Sequence, residues 1–197
     1  MLRLLLPFLL VAITSVSHAQ EPSWVIQETQ KNGQWTIRSN DILYIYASVN
    51  GQVLYGDRLR LTMSGSEDRC RNAVLGMSWY IGSDESNLTD NLEGTVITLE
   101  AFGDEVEAKI MLITEHADGE KIAWLNLART ETAEMEELLG FMNEYSNRLE
   151  MTIKPTKSFR ADQIFPVLNN SWTLEGSMEA FQRAKRLCKR IVEDTII

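Results

Sequence analysis

Residues 107–129 read EAKIMLITEHADGEKIAWLNLAR. On both sides of Asp118-Gly119, apolar residues alternate with polar ones, the period of a strand with one face buried. Asp-Gly is a strong hairpin signal, because both residues tolerate the positive φ of a tight turn. Closing the two arms on that turn predicts Ile110 opposite Leu127, Leu112 opposite Leu125 and Thr114 opposite Ala123. Glu107, Lys109 and Glu115 fall on the other face. The centre of the chain is therefore expected to be antiparallel sheet.

The same pattern extends upstream. Residues 24–28 and 34–38 read as short strands around Asn32-Gly33. Residues 42–49 form a stronger strand, with Leu43, Ile45, Ala47 and Val49 on one face and Ile42, Tyr44, Tyr46 and Ser48 on the other. Asn50-Gly51 predicts a two-residue turn that sets Ala47 against Leu54 and Tyr46 against Tyr55. Leu59, Leu61 and Met63 alternate with charged or polar residues and continue the sheet. Residues 73–81 lean to strand through their Trp79-Tyr80-Ile81 ending, residues 82–94 form an acidic loop, and residues 95–102 form a strand. Downstream the period changes. Met135, Leu138, Leu139, Met142 and Tyr145 fall at helical spacing behind a first turn rich in Glu, with Thr130 or Thr132 as N-cap. Residues 149–154 read as a strand, 158–170 as irregular, 172–175 as a last strand, and Gly176-Ser177 opens a helix to about Val192. The expected fold class is α+β: mostly antiparallel sheet, with one or two helices packed on it.

Arg3, the apolar run of residues 4–13 and Ser17-His18-Ala19 have the form of a secretory signal cut after Ala19. Residues 1–19 are thus expected to be a signal peptide, and residues 20–197 one secreted α+β domain. Export would place Cys70 and Cys188 in an oxidising compartment. Phe181, Ala184, Cys188 and Ile191 share one stripe of the last helix, so Cys188 faces the core, and a disulfide to Cys70 is expected to tie that helix down. The formal net charge is −9, which argues against nucleic acid and anionic lipid as partners. No later stretch is long and apolar enough to span a bilayer.

Catalytic spacing is absent. His116 is the one histidine outside the leader, so any Ser-His-Asp triad or activated cysteine would have to use it. Gly76-Met77-Ser78 is not closed by the second glycine of a nucleophile elbow, and there is no His/Cys cluster with zinc spacing. Asp84, Glu85, Asp90 and Glu93 form the one set that calcium could take, although an acidic solvated loop is the plainer reading. No cofactor is expected. Acidic residues are abundant, yet none stand out as a hydrolytic pair. Two features fit a binding surface. Tyr44, Tyr46 and Tyr55 would make interface anchors if no helix covers them. Arg183, Arg186 and Arg190 stand with Lys185 and Lys189 on the last helix, where they would meet an acidic partner or complement the acidic residues 131–137.

Ser171-Trp172-Thr173-Leu174-Glu175-Gly176-Ser177, followed by Ala180, Ala184 and Cys188, resembles the ending of small secreted proteins similar to invasion-associated locus B of Gram-negative bacteria. There a strand, a glycine and a helix with small sheet-facing residues follow one another. The resemblance implies a periplasmic β-rich domain without a catalytic motif, and it carries over no site residue. The functional expectation is a secreted, periplasmic, non-catalytic binding or accessory protein, with another secreted or periplasmic protein as partner. Its rivals are a hydrolase using acidic side chains, with or without calcium, and a secreted inhibitor or immunity protein. The residues lean against an enzyme without deciding the question, and they are silent on ligand and oligomeric state.

Overall fold

The computed structural model describes residues 26–40, 44–54, 56–82, 89, 91–115 and 119–195. The expected leader, Tyr55, Asp84, Glu85, Asp90 and His116 lie outside the described residues. Among the described residues, ten strands form one sheet, antiparallel at every pairing. β1 (Ile26–Asn32), β2 (Trp35–Asn40), β3 (Tyr44–Asn50), β4 (Arg58–Ser64) and β5 (Asn72–Gly82) run as a meander. The chain then leaves to build β6 (Val96–Ala101) and β7 (Asp104–Glu115) and returns along β5 as β8 (Lys121–Glu131). Helix α1 (Thr132–Tyr145) carries it to β9 (Arg148–Ile153), beside β6. The short α2 (Ala161–Ile164), β10 (Asn169–Thr173) and α3 (Ser177–Thr195) follow. The α+β class is as the alternation and the change of period indicate.

One face of the meander is dry. Ile37, Ile45, Ala47, Leu59, Leu61, Ala73 and Trp79 are all fully buried. Helix α3 packs on this side, against β2, β3 and β4. Its Ala180 and Ala184 keep the approach close, while Phe181 and Leu187 each contribute about 1.5–3 kcal/mol by leaving water. Lys185 Nζ reaches Glu136 Oε1 at 3.2 Å, so the expected pairing of the basic helix with the acidic start of α1 is made once among the described residues. Cys70 is bonded to Cys188 with Cα atoms 6.1 Å apart, securing α3 as expected. Arg69 and Cys70 both take positive φ, 53° and 64°, in the β4–β5 turn that carries the half-cystine to the core. A bridge of this kind persists in an oxidising, extracytoplasmic environment. No helix among the described residues is long and apolar enough to cross a membrane.

Three local readings are corrected. Asn50-Gly51 does not close a two-residue hairpin. β3 and β4 pair with Asn50 opposite Arg58, so Ala47 faces Leu61 and Tyr46 faces Thr62. Gly51 is required by crowding instead: a Cβ there would lie 2.5 Å from Asn170 Nδ2 and 2.6 Å from the Leu54 carbonyl oxygen. In the β7–β8 hairpin, an irregularity between Ile110 and Leu112 shifts the register, giving Ile110 opposite Leu125, Leu112 opposite Trp124 and Thr114 opposite Ile122. A bulge adds a residue to one strand and so exchanges faces beyond it. Leu112 is consequently exposed rather than buried. The N-cap of α1 is Glu131. The Thr130 hydroxyl is spent on the Glu134 side chain, and the Thr132 N–H donates to the Arg71 carbonyl at 2.8 Å.

Candidate functional site

The other face of the meander carries the site. Residues directly opposite in adjacent strands share a face, so Arg38, Tyr46, Thr62 and Val74 stand together across β2 to β5. Two-residue steps add Tyr44 on β3 and Arg58 and Arg60 on β4. Arg60 lies opposite Gly76 on β5, and β8 beyond it presents Asn126 opposite Gly76 and Trp124 opposite Ser78. Gly76 has no side chain to stand between Arg60 and β8. A Cβ there would also approach the Leu125 carbonyl oxygen to 2.7 Å. The Arg60 side chain therefore lies across β5. Its Cζ is 4.0 Å from the Trp124 ring centre and 5.1 Å from that of Tyr46. The Trp124 indole N–H donates to the Thr114 hydroxyl at 3.0 Å, which fixes the ring. Exposed Leu112 flanks it across the β7–β8 ladder.

The electrostatics of this cluster are unbalanced. Arg60 is half-buried, and the Nε atoms of Arg60 and Arg38 are covered without a hydrogen-bond partner among the described residues. None of Arg38, Arg58 and Arg60 has a carboxylate within ion-pair distance among those residues. Burial pushes the Arg60 guanidinium down to about 10; Tyr46 opposes this, while Arg58 and Arg38 add like-charge repulsion. It remains a cation at neutral pH. Each aromatic face returns about 0.5–2 kcal/mol to such a cation. Among the described residues, the cluster gathers three cations with no carboxylate to balance them. Toward the β4–β5 turn the demand is met: Arg129 pairs with Asp68 at 3.9 Å, and the Tyr44 hydroxyl donates to Glu67. That hydrogen bond, followed by burial, raises the Tyr44 phenol.

The structure thus brings Tyr44 and Tyr46 onto one face, opposite the helix-covered one. Sequence reasoning missed Arg38, Arg58, Arg60 and Trp124. The available signal was the charged alternation of Arg58 and Arg60 with Leu59 and Leu61, but their distance from β8 in sequence hid Trp124. Arg183, Arg186 and Arg190 come together around a second feature, an exposed hollow of about 460 Å³ completed by Leu187. Another hollow, of about 510 Å³, lies between β2 and the β3–β4 connection and is lined by residues such as Thr36, Asn50 and Gln52. Among the described residues, neither is lined by Asp or Glu. Ser78, of the rejected elbow, sits within β5 with its Oγ accepting the Arg58 N–H at 3.0 Å. Of the calcium set only Glu93 is described, and its carboxylate accepts the Ile113 N–H at 2.9 Å beside the β7 bulge. No protein-family model, curated protein or solved structure matches this chain.

Proposed function

We propose that this chain is a secreted, periplasmic, non-catalytic binding or accessory protein that engages a protein partner through the sheet face around Trp124. One observation carries the reading: a guanidinium clasped between Tyr46 and Trp124, next to exposed Leu112, on the face opposite the helices. Trp, Tyr and Arg are the residues that dominate binding energy at protein interfaces. The disulfide and the signal-like first residues support export, and the likeness of the strand–glycine–helix ending to invasion-associated locus B-like proteins supports the periplasm. The acidic-hydrolase reading has less behind it, since the described residues that line the two hollows include Arg183, Arg186 and Arg190 in one and Thr36, Asn50 and Gln52 in the other, and no carboxylate. An inhibitor or immunity protein would be the special case in which the partner is an enzyme.

The test places a photo-crosslinking residue at Leu112 of the exported chain in cells of the source organism. The expected result is a discrete adduct in the periplasmic fraction. Excess unlabelled wild-type chain suppresses it, and excess Trp124→Ala chain does not. Equal suppression by both chains, or an intact leader in the cytosol, would overturn the reading.

A further inference from the structure

Resting on that reading, we propose that Arg60, flanked by Arg38 and Arg58, is a receptor for a side-chain carboxylate on an acidic segment of the protein partner. The three guanidiniums stand on one sheet face, Arg38 on β2 and Arg58 and Arg60 on β4, with β3 and its Tyr46 between them, and the described residues supply no carboxylate to them. The Nε atoms of Arg60 and Arg38 are covered, which leaves the terminal Nη edge of each guanidinium as the side an incoming carboxylate would meet. A guanidinium is a planar fork that matches a carboxylate with two parallel hydrogen bonds. Trp124 and Tyr46 hold the Arg60 plane at fixed distances, so the fork is presented already ordered. Ordering the donor before binding reduces the entropy lost in the complex.

The choice of occupant follows from charge and shape. Nucleic acids and anionic membranes present phosphates as a continuous array, and that array would meet the whole protein at a net charge of −9. A single carboxylate on a polypeptide needs only the local cluster. Leu112 and the Trp124 ring beside the arginines offer apolar contact to residues flanking that carboxylate. The rim of the face carries its own acid, Glu67 and Asp68, already committed to Tyr44, Asn72 and Arg129.

The test follows the Arg60 Nε–H and Trp124 Nε1–H signals by proton–nitrogen NMR of the disulfide-bonded chain. The probes are acetyl-Leu-Glu-Leu-amide, its glutamine counterpart, inorganic phosphate and phosphatidylglycerol vesicles, at matched ionic strength. The glutamate peptide is expected to move both signals saturably, and the glutamine peptide to leave them in place. Arg60→Met should weaken the peptide by roughly thirtyfold as read on Trp124. Arg60→Lys, which keeps the charge and loses the fork, should fall between them with an unchanged melting temperature. Equal response to the glutamine peptide, stronger response to phosphate or vesicles, or no response to any probe would overturn the proposal. A Leu112 adduct that persists in Arg60→Met but is lost in Trp124→Ala would also overturn it, while leaving the binding face standing.

Discussion

Asp57 shows how one residue couples the fold to pH. It is 1 % exposed and lies just before β4. Its Oδ1 accepts the Tyr80 N–H at 2.7 Å, and its Oδ2 accepts from Asn170 Nδ2 at 2.8 Å. Burial pushes the carboxyl up from 3.8 to about 6, and the two hydrogen bonds pull the other way. The folded state therefore holds this proton more tightly than the unfolded chain, so stability falls as pH rises from about 4 to about 6. That difference between the folded and unfolded carboxyl corresponds to about 3 kcal/mol. Chemical denaturation of wild type and Asp57→Asn across that window should show the difference between them moving in favour of the variant by up to that amount, then levelling above pH 6. A constant difference would show that Asp57 is not the titrating group. Composition marks no such carboxylate; its burial depends on Asn170, far along the chain.

Among elements, the seam between the β3–β4 connection and β10 is the informative one. Gln52 N–H donates to the Ser171 carbonyl at 2.8 Å, and Val53 N–H donates to Asn170 Oδ1 at 3.0 Å. Asn170 Nδ2 also reaches the Leu54 carbonyl at 3.2 Å. Trp79 and Trp172 meet edge to face, with ring centres 5.7 Å apart, beneath it. These contacts bring the last strand of the sheet back to its third. Asn170→Ala would leave the Val53 and Ser171 N–H groups and the Asp57 carboxylate short of partners. At about 1–3 kcal/mol for a stranded buried group, the variant should lose roughly 2–4 kcal/mol in urea unfolding, with faster amide exchange at Val53. An unchanged transition midpoint would mean that the seam is not closed in solution. The strands themselves were legible from period-two alternation, as in Ile45-Ala47-Val49. The seam was not, because an Asn-Gly pair looks the same whether it makes a tight turn or receives a remote side chain.

At the scale of the molecule, the disulfide joins the β4–β5 turn to α3 across 118 residues. The loop-entropy account values such a closure at about 4–5 kcal/mol, against a typical domain stability of about 5–15 kcal/mol. The Cys70→Ala/Cys188→Ala double variant should lose a comparable amount in guanidinium unfolding. A loss below about 1 kcal/mol would mean that α3 is held by packing of Phe181 and Leu187 without help from the bridge. Wild type treated with reductant should approach the same midpoint.

Alternation, helical spacing and two cysteines determined by themselves the antiparallel sheet, the two longer helices and the half-cystine facing the core. Each of these depends on residues near in sequence, or on one pairing choice with a single answer. Tertiary structure decided the β7 bulge, the return of β10 to the β3–β4 connection and the clasp of Arg60 between Tyr46 and Trp124. Those depend on which strands become neighbours. In a sheet where β8 rather than β6 lies beside β5, Trp124 and Arg60 meet across β5, where the residue opposite Arg60 is Gly76 and carries no side chain.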